Sequence, residues 1–162
     1  MHGGRGMILS HDLEAHHIIQ QTYPLSKEVQ EMIAREDWLA IDRYFLTAEL
    51  PGGELFNYLS QFLEFSHLEH IIAIRSAPED EDGIWHDDGS RILGYSLSLT
   101  LDPTKLIGGH LRFRPKGELD YKSITTRPLG EILLFKTGIY GFEHMVSAVT
   151  EGKRVVLAGW CS

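Results

Sequence analysis

His144-Met145-Val146-Ser147-Ala148-Val149-Thr150-Glu151-Gly152-Lys153-Arg154-Val155-Val156-Leu157-Ala158-Gly159-Trp160 reads as two strands separated by a glycine turn. His144 to Val149 is an alternating run, and a β-prone run resumes at Arg154. The same texture extends upstream. Glu131 to Phe135 is a short strand. Gly108-Gly109 opens His110 to Arg114, which Pro115-Lys116-Gly117 closes. Ile92 to Leu101 is long and β-prone, and Ile71 to Ile74 is a short apolar run ahead of the polar loop Pro78 to Gly83. Strands at this spacing predict a barrel or sandwich.

Before Ser66 the pattern is helical. Ser26 is an N-cap candidate for a helix with acidic residues in its first turns, ending near Asp37. Leu55, Tyr58, Leu59, Phe62 and Leu63 recur at helical spacing and predict a second helix over Glu54 to Phe65. The expected organisation is one domain, 1–162, with residues 1–65 as a helical support layer and 66–162 as an all-β core.

Bulk properties narrow the function. A chain of 162 residues with 43% hydrophobic content suits one soluble core, and no apolar run reaches the ~18 residues of a membrane span. Met1 to Gly6 lacks the apolar core of a secretory signal and reads as a leader, with Met7 as a second start. The single cysteine, Cys161, excludes an internal disulfide, fits a cytoplasmic, reducing compartment, and has no evident base partner. The net charge of -8 argues against a nucleic-acid partner.

The chemistry concentrates at Trp85-His86-Asp87-Asp88, His144 and Arg154. With nine histidines and nine aspartates in 162 residues, about half a His-x-Asp is expected by chance, so the motif needs context. Residues i and i+2 of a strand share a face, which would direct His86 and Asp88 inward and Asp87 away. His144 lies on another predicted strand, and two imidazoles with one carboxylate suit Fe(II) with three positions left open. Arg154 follows on the next strand, with no acidic residue after it to answer its charge. The remaining histidines are weaker candidates. His11, His16 and His17 read as a solvated group, His67 and His70 as surface or capping residues, and His110 as a surface or substrate residue. Gly108-Gly109 is a strand turn, since no helix follows to make a phosphate loop.

Taken in order, Trp85-His86-Asp87-Asp88, Leu97 to Asp102, Gly108 to Phe113, Gly130 to Phe135, His144-Met145-Val146 and Gly152 to Trp160 resemble the prolyl-hydroxylase branch of the Fe(II)/2-oxoglutarate-dependent dioxygenases, over about Ile71 to Trp160. The resemblance implies a double-stranded β-helix, a jelly-roll or cupin-like barrel. It implies iron held by His86, Asp88 and His144, with 2-oxoglutarate and dioxygen as cosubstrates, Arg154 on the far carboxylate and ascorbate as a candidate reductant. Thr100 is expected to add a hydroxyl to that carboxylate. Where the branch often carries a tyrosine on the cosubstrate, this chain has Arg75 or Thr100. Arg75 is either a second positive charge or a partner of the acidic loop, and Trp160 either lines the substrate pocket or packs the core.

The reaction implied is C–H hydroxylation, of a prolyl residue in a protein or peptide, with succinate and carbon dioxide released. A free amino acid or small metabolite is the alternative substrate, and a non-catalytic metal- or ligand-binding barrel is the alternative class. Nucleic-acid demethylases of similar motif carry a second arginine where this chain has Trp160. Selectivity is expected in the loops Ser76 to Ile84 and Asp102 to Ile107, the acidic one suiting a basic peptide. Exposed strand edges allow a monomer or a homodimer.

Overall fold

The computed structural model describes residues 9–162. The leader at residues 1–6 and the second start at Met7 lie outside the described residues. The chain runs α1 (His11–His16), β1 (Ile18–Thr22), α2 (Lys27–Ala34), α3 (Trp38–Ala48), α4 (Glu54–Leu59), β2 (Leu68–Ser76), β3 (Leu93–Ser98), β4 (Ile107–Gly108), β5 (Leu111–Pro115), β6 (Lys122–Ile124), β7 (Glu131–Lys136), β8 (Phe142–Val146), β9 (Val149–Glu151) and β10 (Lys153–Cys161). No helix among the described residues is long and apolar enough to cross a membrane.

The larger sheet has five strands in the order β1-β7-β3-β10-β2, and the smaller has three in the order β6-β5-β8, with β4 and β9 paired beside them. Every pairing is antiparallel. The two-residue period of the strands divides the larger sheet into two faces. Leu93, Tyr95 and Leu97 of β3, Ile132 and Leu134 of β7, and Val155 and Leu157 of β10 are buried with Ile33, Ile41, Phe45, Leu55 and Leu59 of the helices. Their neighbours point the other way: Leu133 and Phe135 of β7 pack against Leu111 and Phe113 of the smaller sheet. Each of these large side chains contributes roughly 1.5–3 kcal/mol by leaving water. Two facing antiparallel sheets with a helical layer behind one of them form the double-stranded β-helix anticipated from the strand pattern.

The N-terminal third departs from expectation in three ways. Ser26 does cap α2, accepting from the Val29 N–H at 3.2 Å. But Asp37 begins a further helix, its Oδ1 accepting from the Ala40 N–H at 3.2 Å, after Glu36 turns the chain with φ 55°. The second predicted helix stops at Leu59 instead of Phe65. Residues 18–22 are a strand, paired in register with β7 from Ile18↔Phe135 to Thr22↔Glu131, so the support layer is not wholly helical.

Two histidines also differ. His70 is not at the surface: its side chain is 1% exposed, with Nδ1 2.6 Å from Glu49 and Nε2 2.8 Å from Asp42, joining β2 to α3. His17 ends α1 in the left-handed region and its ring lies 4.6 Å from that of Phe142. Gly108 and Gly109, with φ 84° and 68°, form the expected turn, and a Cβ at Gly108 would meet the Ala148 carbonyl oxygen at 2.0 Å. Burial pushes the Cys161 thiol far up, in keeping with an inert sulfur.

Candidate metal centre

His144 sits on β8. His86 lies beside it, the two backbones exchanging hydrogen bonds: the His86 N–H donates to the His144 carbonyl at 3.0 Å and the His144 N–H to the His86 carbonyl at 2.9 Å. The rings stand 4.3 Å apart between centroids. Asp88 completes the group, with Oδ1 3.4 Å from His86 Nε2 and Oδ2 3.2 Å from His144 Nε2. One ligand atom from each residue lies within 4.8 Å of the others.

Asp88 arrives by a different route from the one expected. It is not on a strand facing the same way as His86; its φ is 62° and that of Gly89 is 63°. A left-handed turn, which aspartate tolerates better than most residues, swings the carboxylate back under the imidazoles. Asp87 points away, as anticipated. It pairs with Lys116 and accepts from the Gly89 N–H at 2.8 Å, closing the turn.

The donors fit a cation. The Asp88 side chain is 4% exposed, yet its Oδ2 has no hydrogen-bond donor of good geometry, and His144 Nδ1 has no hydrogen-bond partner. A buried carboxylate oxygen without a donor is costly unless a cation meets it. His86 Nδ1 lies 2.7 Å from the Ile84 carbonyl oxygen. Donation there leaves the Nε2 lone pair facing Asp88, the tautomer a metal ligand needs. Burial raises the Asp88 carboxyl, but His144, the Trp160 indole N–H and His86 outweigh it and hold the group below the usual carboxylate range. Phe135 packs edge-on against the His144 ring at 4.8 Å.

The centre opens on a cavity of about 160 Å³ whose lining includes His86, His144, Phe135, Trp160, Arg75 and Arg154. Arg154, Val156, Ala158 and Trp160 alternate along β10 and share this face. Arg154 is 4% exposed, and its Nε makes no hydrogen bond. Among the described residues no carboxylate pairs with it. Burial first and then Arg75 push the guanidinium down to about 10, with Asp80 opposing the fall.

The other expected site residues divide. Trp160 both lines the cavity and helps to hold the Asp88 carboxyl low, while Arg91 covers its ring at 4.7 Å. Arg75 lines the cavity and is also held by the acidic loop, Nη1 donating to Asp80 Oδ1 at 3.2 Å and to the Glu81 carbonyl at 2.8 Å. Thr100 is placed elsewhere: its hydroxyl donates to the Val155 carbonyl and accepts from the Val155 N–H, each at 3.0 Å. Both hydroxyl functions are spent on closing β3 against β10, and the side chain is not part of the cavity wall. His110 is likewise outside that wall, near Ser123. The acidic loop is turned inward, Asp80 accepting from the Val149 N–H and Asp82 from the Ala148 N–H, both at 2.7 Å. Sequence reasoning did not single out Phe135 or Val156, although the alternation that carries Leu133 and Arg154 inward also carries them.

No protein-family model matches the sequence, and no curated protein does. Solved structures do. A Pseudomonas putida prolyl-4-hydroxylase superposes with a TM-score of 0.63 at 19% identity, over 93% of this chain and 94% of that one. A Trichoplax adhaerens prolyl hydroxylase, solved with a hypoxia-inducible-factor peptide fragment, gives 0.60 at 14%, over 93% and 85%. HygX from Streptomyces hygroscopicus, solved with nickel and 2-oxoglutarate, gives 0.50 at 12%, over 95% and 87%. At these identities the likeness is one of fold. The chain has the double-stranded β-helix of the prolyl hydroxylase-like 2-oxoglutarate–Fe(II) oxygenases, and in it a two-histidine, one-carboxylate cluster opens on a cavity with a buried arginine.

Proposed function

We propose that this protein is an Fe(II)- and 2-oxoglutarate-dependent oxygenase that hydroxylates a C–H bond, with a prolyl residue of a protein or peptide as the substrate class. The observation that carries the reading is the pairing, in one cavity, of two unanswered buried charges of opposite sign. Asp88 Oδ2 lacks a donor between two imidazoles, and among the described residues no carboxylate pairs with Arg154. A metal cation answers the first and a carboxylate ligand the second.

His86, Asp88 and His144 would hold iron(II), a donor set that leaves adjacent positions free for a chelating keto acid and dioxygen. Together with those cosubstrates the metal supplies the oxidising power for C–H hydroxylation, with succinate and carbon dioxide as coproducts. Arg154 binds and orients the far carboxylate through its planar guanidinium, which can make two parallel hydrogen bonds. Trp160 helps to keep the Asp88 carboxyl ionised. Phe135 and Val156 exclude water from the wall between the metal ligands and Arg154. The prolyl assignment draws support from the prolyl hydroxylases among the structures of this fold, one of them solved with a peptide.

The test is succinate release by the purified chain with Fe(II), 2-oxoglutarate and proline-containing peptides, with added oxygen located by mass spectrometry. Turnover that needs iron and disappears in His144→Ala is expected. Failure to bind either iron or 2-oxoglutarate refutes the proposal.

A further inference from the structure

Arg75 and Arg154 are directly opposed across the β2–β10 ladder. Opposed residues of an antiparallel pair project from one face with Cβ atoms roughly 5 Å apart, and like charges placed this way repel. Both side chains line the same cavity, where low polarisability makes the repulsion larger than in water. Their charges are unequally answered. Arg75 donates to Asp80 Oδ1 at 3.2 Å, to Oδ2 at 3.4 Å and to the Glu81 carbonyl at 2.8 Å. Arg154, far more deeply buried, has no counterpart among the described residues. Asp80 is fixed in turn by the Val149 N–H at 2.7 Å, so it cannot follow a ligand inward.

We infer that Arg75 and Arg154 form one two-guanidinium anion site whose resting counter-ion is Asp80, and that an entering carboxylate competes with Asp80 for the field of both arginines. The inference rests on the proposed role of Arg154 and deepens it. Arg75 is a positioning residue that sets how tightly the far carboxylate is held, and Asp80 weakens that hold. A ligand with a full negative charge at the buried end is selected over a neutral one of the same length.

Calorimetric titration of the metal-free full chain with 2-oxoglutarate and with glutarate tests this without turnover. Arg75→Met should bind both about fivefold more weakly, as expected for a partly exposed charge, with Arg75→Lys recovering most of the loss. Asp80→Asn keeps an acceptor for the Val149 N–H and removes the competing charge, so it should bind about threefold more tightly, a gain that misfolding does not produce. Asp80→Asn without a gain, or Arg75→Met without a loss, overturns the inference and leaves the role of Arg154 intact. A wild-type chain that binds neither acid overturns the inference, and an Arg154→Met chain that binds as wild type does overturns the inference and the proposed function together.

Discussion

Replacing Arg154 with methionine should make the free protein more stable and deaf to its cosubstrate. Arg154 is a nearly inaccessible cation that pairs with no carboxylate among the described residues, and the depression of its guanidinium to about 10 corresponds to roughly 3 kcal/mol disfavouring the charged form. The sign follows from linkage. A base whose folded value is depressed is protonated in both states at neutral pH and carries the full cost of its charge there. That cost is relieved only as pH rises through the folded value. Methionine is unbranched and adaptable, so it can occupy the space beside Gly109, where a Cβ would already meet Arg154 Cδ at 3.0 Å. After allowance for imperfect packing, a gain of about 2 kcal/mol is expected, which raises the melting temperature by about 4–8 °C for a domain of this size. Saturating 2-oxoglutarate should reverse the order. Ligand at a hundredfold over its dissociation constant stabilises the wild type by about 2.7 kcal/mol and leaves the variant unmoved. Thermal unfolding of both chains, with and without the ligand, reads all four values. An Arg154→Met protein that melts below the wild type without ligand would refute the argument, since Arg154 would then be a satisfied structural residue.

Two more outcomes follow from the centre. Trp160→Phe keeps the aromatic wall and removes the indole N–H that helps to hold the Asp88 carboxyl low; metal affinity should fall about tenfold in Fe(II) or Co(II) titrations, and an unchanged affinity would reduce Trp160 to packing. Gly94→Ala would place a Cβ 2.3 Å from Phe135 Cε2, so it should destabilise the fold by about 1–3 kcal/mol and loosen metal binding by displacing the ring beside His144; denaturant unfolding with parallel metal titration checks both effects.

The β core was legible because its signals are local. Alternating residues and glycine turns marked β5, β7 and β10 close to their observed bounds, whereas the run His144 to Val149 straddles the break between β8 and β9. The N-terminal third was less so. The five residues of β1 become a strand through pairing with β7, a partner far along the chain that no local pattern announces. Asp37 was read as the end of one helix when its side chain begins the next. At the candidate metal centre the three residues that cluster were readable, but the path to Asp88 was not taken from the best clue: Asp88-Gly89 is a turn dipeptide, and a turn, not strand alternation, delivers the carboxylate. Thr100 stood in a plausible register, yet its hydroxyl satisfies the Val155 backbone, a demand visible only once β3 and β10 are side by side.

The order of strands in the larger sheet bears on how the molecule is made. Its sequence across the sheet, β1-β7-β3-β10-β2, interleaves early and late segments, and β10 occupies the place between β3 and β2. Until residues 153–161 leave the ribosome, β2 has no neighbour in the sheet and β3 is paired on one side alone. The helices would meanwhile have only part of the surface they cover. Assembly of this sheet is therefore a late, largely concerted event dominated by contacts distant in sequence, the kind of topology that folds in milliseconds to seconds. Because β10 also brings Arg154 and Trp160, the cavity wall is complete only with this last strand, and a chain cut short before residue 153 would expose unpaired strand edges.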